Sequence, residues 1–439
     1  MLSRSSTLLS QSLFKRTLAT SAPGKFTVSF IEGDGIGPEI ATSVKKIFSA
    51  ADVPVEWEAC DVGPIIVNNN TAIPEAAIKS INKNKVALKG PLATPVGKGH
   101  RSLNLTLRKT FDLYANLRPA ASLKGLKTTY SDIDFVVVRE NTEGEYFGVE
   151  HDLGDKVEAI KLITQNSSEK VIKFAIDHAK FLGRPKVLVV HKATVQPLTD
   201  GLFYQVGKSL EKYQSNVKVE FELLDDYIHN SVKDPKKYHD YVVVAPNLYG
   251  DIITDLNSGL STGSLGMTPS ANIGEKVSIF EAVHGSAPDI AGKDLANPSA
   301  LLFAAVMMLE HLGLNSHADK IKAAALKTIA EGIKTGDLGG KATNSIYTDA
   351  IIKNLSAWSR CLKKWPTGFS IYEFLSQKSK QINDNKYIVQ IIWTKVNKQV
   401  VSVHKPILKC YVPTEINDKN NENNYDNCIC KKLLKQVWS

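Results

Sequence analysis

The chain has 439 residues, of which 43% are apolar and 23% charged, the balance of a globular protein long enough for two or three domains. Its formal net charge is +9, but residues 356–439 carry 14 Lys and Arg against 6 Asp and Glu. The body of the chain is close to neutral, so global charge does not argue for a polyanionic partner. No run of 18 apolar residues occurs, so neither a transmembrane helix nor a membrane partner is expected.

The N-terminal segment has the composition of a targeting sequence. Residues 1–24 contain Arg4, Lys15 and Arg16 among Leu, Phe, Ser and Thr, and no acidic side chain. Such a segment can form a cationic amphipathic helix, whereas a secretory signal would have a longer and purer apolar stretch. We predict a mitochondrial presequence, removed between Arg16 and Lys25, and a mature chain in the mitochondrial matrix. A merely disordered N-terminus is the alternative.

From residue 25 to 355, strand-like apolar runs alternate with helical periodicity, which is typical of an α/β fold. Several runs are continuously apolar, as expected for strands covered on both faces. The predicted strands are residues 26–31, 86–88, 135–139, 187–191, 217–224, 241–245 and 277–282. The predicted helices are residues 38–50, 168–182, 297–312 and 317–331, the third capped by Asn297 before Pro298.

A glycine-rich segment, GDGIGPE at residues 33–39, joins the first predicted strand to the first predicted helix. A Rossmann dinucleotide fingerprint requires G-x-G-x-x-G and an acidic residue about 20 positions further on. Here the third glycine comes one position early and Pro follows it. A tight strand-to-helix turn is therefore favoured over a Rossmann site.

The sequence changes character after residue 355. Four of the five cysteines and an Asn-rich stretch lie beyond it, and only Cys60 precedes it. A single cysteine in the body argues against a disulfide framework and fits a reducing compartment. We interpret residues 356–439 as an appendage, either a lineage extension or translated non-coding sequence. Its basic charge has little aromatic or motif support, so nucleic acid is not expected as a partner.

Two motifs carry arginines that suit an anionic ligand. They are GPLATPVGKGHRSLNLTLRKTFDLYANLRP, which contains Arg108 and Arg118, and VVVRENTEGEYFG, which contains Arg139. Planar guanidinium groups pair with carboxylates through two parallel hydrogen bonds, so three fixed arginines suit a substrate with several carboxylates. Taken singly, each arginine is more often a surface or structural residue.

These motifs resemble the β-decarboxylating dehydrogenases, the isocitrate and isopropylmalate dehydrogenase family, and the resemblance extends over residues 25–355. Ser102 and Asn104 match the isocitrate branch of that family. The resemblance implies oxidative decarboxylation of isocitrate to 2-oxoglutarate, in the tricarboxylic acid cycle, with reduction of NAD and release of CO2. It also implies that the three arginines bind the carboxylates of the substrate.

The resemblance assigns the proton transfers to two residues. Tyr146, in the second motif, matches the proton donor of the family, and Lys192, in VVHKATV, matches its catalytic lysine. Both roles are chemically required, because one proton must leave the hydroxyl and one must reach the carbanion carbon. By itself, either residue would more often be a packing or solvated residue. Thr194 departs from the Asn that many relatives carry, which leaves a nicotinamide-side contact open.

A carboxylate group follows in PNLYGDIITDLNSG, where Asp251 and Asp255 stand four residues apart and share one face of a helix. With Asp225 they would supply hard oxygen ligands, which suit Mg²⁺ or Mn²⁺. Alone, such a pair is more often a solvated helix face, so the metal interpretation depends on the resemblance. Asp226 is the alternative to Asp225, because the flanking sequence fixes no register there.

The segment FEAVHGSAPDIAGKDLANP, residues 280–298, resembles the cofactor loop of the family. The resemblance implies that Asp289 and Ile290 discriminate between cofactors, and a carboxylate accepts hydrogen bonds from ribose hydroxyls and repels a 2′-phosphate. NAD is therefore favoured over NADP. The cofactor residues that the resemblance implies are Thr94 at the nicotinamide end, His284, Gly285, Asp289, Ile290 and Asn297.

The implied fold is a two-domain α/β structure with a mixed twelve-stranded sheet, not a Rossmann fold. Residues 25–113 and 263–355 would form the large, cofactor-side domain, and residues 114–262 a small domain with a dimer-forming clasp. Lys192 and Asp225 would reach the site of a neighbouring subunit, so a monomer should be inactive. A hetero-oligomer with a regulatory sister subunit is expected.

Two other functions remain open. A non-catalytic regulatory subunit should lack part of the machinery, whereas the predicted arginines, Tyr146, Lys192 and both helical aspartates are all present. A related dehydrogenase acting on 3-isopropylmalate, homoisocitrate or tartrate is the nearest competitor. Ser102 and Asn104 argue against isopropylmalate, which is apolar where isocitrate carries a carboxylate.

Overall fold

The computed structural model describes residues 20–22, 24–63, 65–67, 70–93 and 102–363. The described residues up to 352 form one compact unit, and residues 353–363, the end of the last helix, fall in a second. The domain boundaries proposed at residues 114 and 262 stay predictions. In the described ranges, no helix combines the length and apolarity needed to cross a membrane.

The strands are short to medium in length and are spread over the first unit. They are β1 (Thr20–Ala22), β2 (Lys25–Ile31), β3 (Val55–Ala59), β4 (Ile65–Val67), β5 (Asn70–Ala72), β6 (Val86–Lys89), β7 (Ala115–Ala121), β8 (Asp134–Glu140), β9 (Glu150–Asp152), β10 (Val157–Ala159), β11 (Lys186–His191), β12 (Lys218–Leu223), β13 (Tyr241–Ala245), β14 (Pro269–Ile273) and β15 (Ser278–Ala282).

The α-helices alternate with these strands for most of the chain. They are α1 (Gly37–Ala50), α2 (Glu75–Asn84), α3 (Leu103–Thr110), α4 (Gln165–Leu182), α5 (Thr199–Ser209), α6 (Leu224–Lys233), α7 (Asn247–Ser261), α8 (Ser299–His311), α9 (Asn315–Ala330) and α10 (Asn344–Lys363). All seven predicted strands and all four predicted helices are present, with ends shifted by a few residues.

A mixed sheet runs through the first unit, and within the described residues it has eleven strands where twelve were expected. Its order is β1-β2-β6-β15-β14-β7-β8-β13-β11-β12, and β3 pairs with β2. The set β3, β2, β6, β15 is parallel, and so is the set β8, β13, β11, β12. Between them, β14 and β7 are antiparallel to both of their neighbours. This mixed pattern confirms the α/β class and differs from a parallel Rossmann sheet.

Continuous apolar runs became strands that are covered on both faces. All five residues of β13 and all five of β15 are buried. Helix α1 packs against α8, and its Ile40, Val44 and Ile47 are fully buried on one face as the sequence predicts. Burial of this kind stabilises by roughly 25 cal/mol per Å² of apolar surface.

The strands β7 and β14, at the centre of the sheet, were not predicted. Their sequences, ANLRPAA and PSANI, consist of small and polar residues with weak strand propensity. Both are nevertheless buried, and Asn116 of β7 lies directly opposite Asn272 of β14. Polar side chains are thereby placed inside the sheet, next to Arg118 on the same strand as Asn116.

The glycine-rich segment forms a tight strand-to-helix turn, which the sequence favoured over a Rossmann site. Gly33 and Gly35 have positive φ angles of 80° and 60°. A Cβ atom on Gly33 would lie 2.1 Å from the carbonyl oxygen of Pro91, and one on Gly35 would lie 2.0 Å from that of Ser286. Only glycine allows this approach. The turn therefore packs its backbone against the predicted cofactor loop.

Candidate active site

Adjacent antiparallel strands bring Arg118 and Arg139 to one place. Arg118 lies on β7 and Arg139 on β8, and their side chains are 6% and 1% exposed. Both guanidinium groups meet α7, the helix formed by the NLYGD motif. Buried arginines require partners, because an unpaired charge in the interior is costly.

Arg139 is held by α7 through an amide and a carboxylate. Its Nε and Nη2 donate to Oδ1 of Asn247 at 2.9 and 2.7 Å, and its Nη1 forms an ion pair with Asp251. Asn247 in turn donates from Nδ2 to the carbonyl oxygen of Glu143 at 2.9 Å. The first residue of α7 therefore fixes both the orientation of Arg139 and the start of the segment that leads to Tyr146.

Arg118 is oriented by its own strand and by α7. Its Nε donates to Oδ1 of Asn116 at 2.8 Å, and its Nη1 donates to Oγ1 of Thr254 at 2.7 Å. The same Nη1 lies 3.4 Å from a carboxylate oxygen of Asp251 and 3.4 Å from one of Asp255. Both aspartates thus face the arginines from one side of α7, as their spacing predicts.

Tyr146 joins this group from a short 3₁₀ turn. Its hydroxyl donates to Oδ2 of Asp251 at 2.5 Å, and its ring lies 4.9 Å from the guanidinium carbon of Arg139. Burial and the hydrogen bond to Asp251 raise the pKa of Tyr146, which keeps the phenol protonated at neutral pH. Burial would raise the pKa of Asp251, but Arg139, Tyr146 and the other arginines lower it overall.

Arg108 completes the set from α3. It is half-buried, and within the described residues no hydrogen bond or ion pair engages its guanidinium group. Burial lowers its pKa, and among the charges that act on it are Glu281, Arg118 and Asp251. We call Arg108, Arg118, Arg139, Tyr146, Asp251 and Asp255 the arginine–aspartate cluster. The structure brings these six predicted residues together.

Asn104 and Ser102 lie at the start of α3, on the approach to Arg108. Among the residues that the structure describes, buried Oδ1 of Asn104 has no hydrogen-bond partner. It borders a cavity of about 10 Å³, room for roughly one water molecule, that Arg108, Lys89 and Glu281 also line. Ser102 stands at the N-cap of α3, and its hydroxyl does not cap the helix.

A buried polar network connects this cavity with Arg118, and sequence reasoning missed it. Lys89 pairs with Glu281 at 2.8 Å, and Nδ2 of Asn272 donates to Glu281 at 2.7 Å. Oδ1 of Asn272 accepts from Asn116 at 2.8 Å, and Asn116 accepts from Arg118. Burial alone would raise the pKa of Glu281, but Lys89 and Arg108 lower it to about 2. Polar residues inside otherwise buried strands were the available signal.

Lys192 and Asp225 lie together but apart from the cluster. They form an ion pair with each other, at the end of β11 and the start of α6. The hydrogen bonds and ion pairs of the described residues connect neither of them to the arginines, Tyr146 or Asp251. No group of three or more metal-ligating His, Cys, Asp or Glu residues occurs in the described ranges. One chain therefore contributes two of the three predicted metal ligands to the cluster, and the third lies elsewhere.

The predicted cofactor loop follows β15 and packs on the glycine-rich turn. Nδ1 of His284 lies 3.0 Å from the carbonyl oxygen of Gly285, and Nε2 is buried and has no hydrogen-bond partner within the described part of the chain. Burial lowers the pKa of His284, which favours the neutral ring. A Cβ atom on Gly285 would meet nothing within 4 Å, so space remains beside this residue.

The other predicted cofactor residues differ in their surroundings. Asp289 is exposed and Ile290 half-buried, both within a run of turns. The amide of Asn297 already has partners: Oδ1 accepts from the backbone N–H of Ser299, and Nδ2 donates to Asp337 at 3.0 Å. Asn297 thus supports the start of α8 one residue before the observed cap. Thr94 lies outside the described residues.

A wider groove of about 500 Å³ lies at the amino ends of β11 and β12, between Pro185 and Lys218. It contains none of the predicted site residues, whereas the cluster lies where β7, β8 and α7 meet. Its lining is mixed, and the described residues around it offer no set of convergent catalytic groups. The arginine–aspartate cluster is therefore the candidate active site.

Comparison with known proteins agrees with this geometry. The family model of isocitrate/isopropylmalate dehydrogenases matches residues 27–355. The chain belongs to that family. It is 64% identical over 335 residues to subunit 2 of the mitochondrial NAD isocitrate dehydrogenase of Saccharomyces cerevisiae, covering 76% of this chain and 91% of that one.

Two further relatives extend this comparison. The chain is 48% identical over 359 residues to a regulatory subunit of the mitochondrial NAD isocitrate dehydrogenase of Dictyostelium discoideum, covering 81% of this chain and 99% of that one. A crystal structure of isocitrate dehydrogenase from Methylococcus capsulatus superposes with a TM-score of 0.70 and 40% identity, covering 75% of this chain and 99% of that one. The isocitrate dehydrogenase-like fold is thereby confirmed.

Proposed function

We propose that this chain is a catalytic subunit of a mitochondrial NAD-dependent isocitrate dehydrogenase of the tricarboxylic acid cycle. It would oxidise isocitrate and release CO2 and 2-oxoglutarate, with reduction of NAD. The observation that carries this proposal is the convergence of Arg118 and Arg139 on two aspartates and a tyrosine, with Arg108 near enough for its charge to act on the same groups. Three guanidinium groups suit the carboxylates of a polyanionic ligand, and the two neighbouring aspartates suit a cation bound to the same ligand. Few ligands other than a polycarboxylate would use both.

The donor set of the cluster fits a divalent ion such as Mg²⁺ or Mn²⁺. Asp251 and Asp255 offer hard oxygen ligands from neighbouring turns of α7, and Asp255 is half exposed on the open side. When bound, the ion would polarise the hydroxyl and keto oxygens of the substrate, and NAD would accept the hydride. Asp225 would complete the ligand set from a second chain.

The loop after β15 fits the adenosine part of NAD. The buried, unpartnered Nε2 of His284 and the open space at Gly285 leave a polar group and room for a ligand. The exposed carboxylate of Asp289 is free to accept hydrogen bonds from ribose hydroxyls and would repel a 2′-phosphate. Ile290, Asn297 and Thr94 would line the same cofactor, as the family resemblance implies.

The residues of the cluster divide the work between binding and proton transfer. Asn116 orients Arg118 and Asn247 orients Arg139 before the substrate binds. The two guanidinium groups therefore need not reorganise during the reaction. The guanidinium group of Arg108, Nδ2 of Asn104 and the hydroxyl of Ser102 would donate to the remaining carboxylate. The phenol of Tyr146 would deliver the proton to the enol carbon.

The other proton transfer requires a second chain. Lys192 would assist removal of the hydroxyl proton, or a metal-site aspartate would, but in this chain Lys192 pairs with Asp225 away from Tyr146. The loop that follows Lys192 exposes Val195 and Leu198, which are 67% and 85% exposed. Exposed apolar side chains next to a catalytic candidate indicate a surface that a partner covers. We therefore propose a dimer or higher hetero-oligomer with a regulatory sister subunit, in which Lys192 and Asp225 reach the neighbouring site.

Two alternative functions are weighed against this. A regulatory role remains a competitor because a relative of that name is 48% identical, but here all six cluster residues are present, and hydrogen bonds or ion pairs join five of them, all except Arg108. A 3-isopropylmalate or homoisocitrate dehydrogenase would share the arginines. Asn104, which lines the same small cavity as Arg108, and Ser102 at the start of α3 favour isocitrate, since polar side chains suit a carboxylate better than an isopropyl group.

The proposal is tested by NADH formation from isocitrate and Mg²⁺, with the chain alone and with candidate sister chains. The chain should require an assembled partner and should turn over isocitrate far faster than isopropylmalate or homoisocitrate. The substitution Tyr146→Phe removes only the hydroxyl that lies 2.5 Å from Asp251. This variant should lower kcat at least ~100-fold, the usual worth of a positioned proton donor.

Tyr213→Phe is the matched control, because it removes a phenol that bonds an aspartate, Asp177, outside the cluster. Its kcat should equal that of the wild type. An unchanged turnover of the Tyr146→Phe enzyme would leave only the regulatory function standing. Faster turnover of isopropylmalate than of isocitrate would instead assign the chain to the isopropylmalate dehydrogenase branch of the family.

A further inference from the structure

One lysine outside the cluster lies among groups from several parts of the chain. Nζ of Lys161 is 2.6 Å from Oδ1 of Asp200, 2.7 Å from Oε1 of Gln196 and 3.2 Å from the hydroxyl of Tyr249. It also lies 3.2 Å from the carboxylate of Glu145. The side chain of Lys161 is 11% exposed and that of Asp200 is fully buried. None of these groups belongs to the site already described.

One side of this arrangement holds the loop that carries Lys192. Oδ2 of Asp200 accepts from the backbone N–H of Lys192 at 2.6 Å, while its Oδ1 faces Lys161. Gln196 closes the turn, because its N–H donates to the carbonyl oxygen of Lys192 at 3.0 Å and its Oε1 accepts from Lys161. Both ends of residues 192–200 are therefore tied to a single ammonium group.

The other side holds the turn that carries Tyr146. Leu162, the next residue after Lys161, forms an antiparallel bridge with Gly144, whose N–H donates to the carbonyl oxygen of Leu162 at 2.8 Å. This bridge places Lys161 beside Glu145, the residue that precedes Tyr146. Tyr249 reaches Lys161 from α7, two residues before Asp251, and its ring lies 4.5 Å from the ammonium group.

The ammonium group is charged in this setting. Burial alone would lower the pKa of Lys161, but the hydrogen bond and charge of Asp200, with Tyr249 and Glu145, raise it overall. A buried ion pair contributes little net stability over an apolar pair of the same volume, but it constrains geometry, and removal of one partner is costly. Because Lys161 lies between two separate loops, this constraint acts on the geometry of both loops.

We infer that Lys161 is a positioning residue that fixes the Tyr146 turn and the Lys192 loop relative to each other. The inference rests on the proposed function in one respect, the proton-transfer roles of Tyr146 and Lys192. Because Lys192 would serve a neighbouring site and Tyr146 its own, Lys161 links two active sites of one oligomer through a single contact group. A change at Lys161 therefore affects both proton transfers and leaves the substrate-binding arginines in place.

The test uses the assembled enzyme with Lys161→Met in this chain. Hydrogen–deuterium exchange should become faster in peptides that cover residues 144–148 and also in those that cover residues 192–200. In steady-state assays, kcat should fall about tenfold or more while KM for isocitrate changes less than about threefold, the signature of an interaction used in the transition state. Lys161→Arg keeps the charge and should recover part of both losses.

Lys173→Met is the matched control, since Lys173 also lies over a tyrosine ring and pairs with a carboxylate, Glu169, but on the surface of α4. It should change neither segment. If Lys161→Met does not fold, Lys161→Arg provides the test, because an arginine cannot place one nitrogen among all four acceptors and should still speed exchange in both segments.

Faster exchange in only one segment, or unchanged exchange in both, would overturn the inference, as would an unaltered kcat in the folded variant. The exchange measurement does not depend on catalysis. A wild-type enzyme inactive on isocitrate would therefore count against the proposed function and not against the structural link.

Discussion

Gly250 lies directly against the side chain of Arg139. A Cβ atom built on Gly250 would fall 2.6 Å from Cγ of Arg139, closer than real side chains approach. Helix α7 can therefore come near enough to β8 for Asn247 and Asp251 to reach the same guanidinium group. The glycine in NLYGD is needed for this close approach of helix and strand.

Gly250→Ala should displace Arg139 and weaken substrate binding. Overpacking of this kind lowers the free energy of unfolding by about 1–3 kcal/mol. Because a displaced Arg139 no longer points at the substrate, KM for isocitrate should also rise about tenfold, equivalent to roughly 1.4 kcal/mol of binding free energy. Gly259→Ala is the control on the same helix, where an added Cβ atom meets nothing within 4 Å. It should leave KM unchanged and slightly raise stability, since alanine favours helix over glycine. Equal KM values for both variants would contradict the contact.

The buried pair of Lys89 and Glu281 should behave as one unit in unfolding experiments. Glu281→Gln leaves the ammonium group of Lys89 without its counter-charge and should lower the free energy of unfolding by about 3 kcal/mol. Adding Lys89→Met removes that charge, so the double variant should lose less than the sum of the two single losses. Urea denaturation of the four proteins measures this coupling. Strict additivity would show that the two groups do not interact.

Stability should depend on pH through buried His178. Its ring stacks between those of Phe174 and Phe181, and burial lowers its pKa from 6.5 to about 4. The unfolded chain binds a proton near pH 6.5 that the folded protein does not bind until about pH 4. The stability contributed by the neutral ring is therefore complete above pH 6.5 and is lost as the pH falls through 4.

His178→Phe keeps the stack and removes this proton. Thermal unfolding between pH 7 and 4 should then show a shallower loss of stability on acidification, by up to one proton. His229→Phe is a control, since His229 lies on α6 and is not part of this stack. A pH slope identical to that of the wild type in His178→Phe would exclude His178 as the titrating group.

Cofactor choice should depend on Asp289. Asp289→Lys replaces a carboxylate that accepts from ribose hydroxyls by a cation that attracts a 2′-phosphate. The ratio of kcat/KM for NAD to that for NADP should fall about tenfold or more, equivalent to roughly 1.4 kcal/mol. Asp319→Lys, an equal charge change on the exposed face of α9, should leave the ratio unaltered. The same ratio in both variants would place the ribose elsewhere.

Much of the fold could be predicted because its strands are continuous apolar runs. Consecutive apolar residues such as Val242, Val243 and Val244 are expected in a strand covered on both faces, and all three are fully buried. The turn at GDGIGPE was equally readable, since Gly33 and Gly35 adopt angles that other residues avoid. In these segments, local preference and tertiary structure agree.

The centre of the sheet could not be predicted in this way. Strand β14, with the sequence PSANI, has low strand propensity and is stabilised by pairing on both sides and by the hydrogen bonds of Asn272. That Asn272 supports Arg118 through Asn116 depends on a register between strands far apart in the sequence. No local pattern contains this information.

The candidate site was recognised through family motifs and not through spacing. Arg108, Arg118 and Arg139 come from one helix and two strands, and only the fold brings them together. The motifs also implied that Lys192 serves another subunit, and in this chain it lies with Asp225 apart from the cluster. Under the proposed function, a second chain would supply the residues that complete the site.

The most direct measurement is a crystal structure of the assembled enzyme with isocitrate and Mn²⁺. Anomalous scattering should locate Mn²⁺ at Asp251 and Asp255 of one chain and Asp225 of another, with the carboxylates of isocitrate on Arg108, Arg118 and Arg139. Manganese and isocitrate bound away from these side chains, with the cluster still paired to itself, would contradict the account.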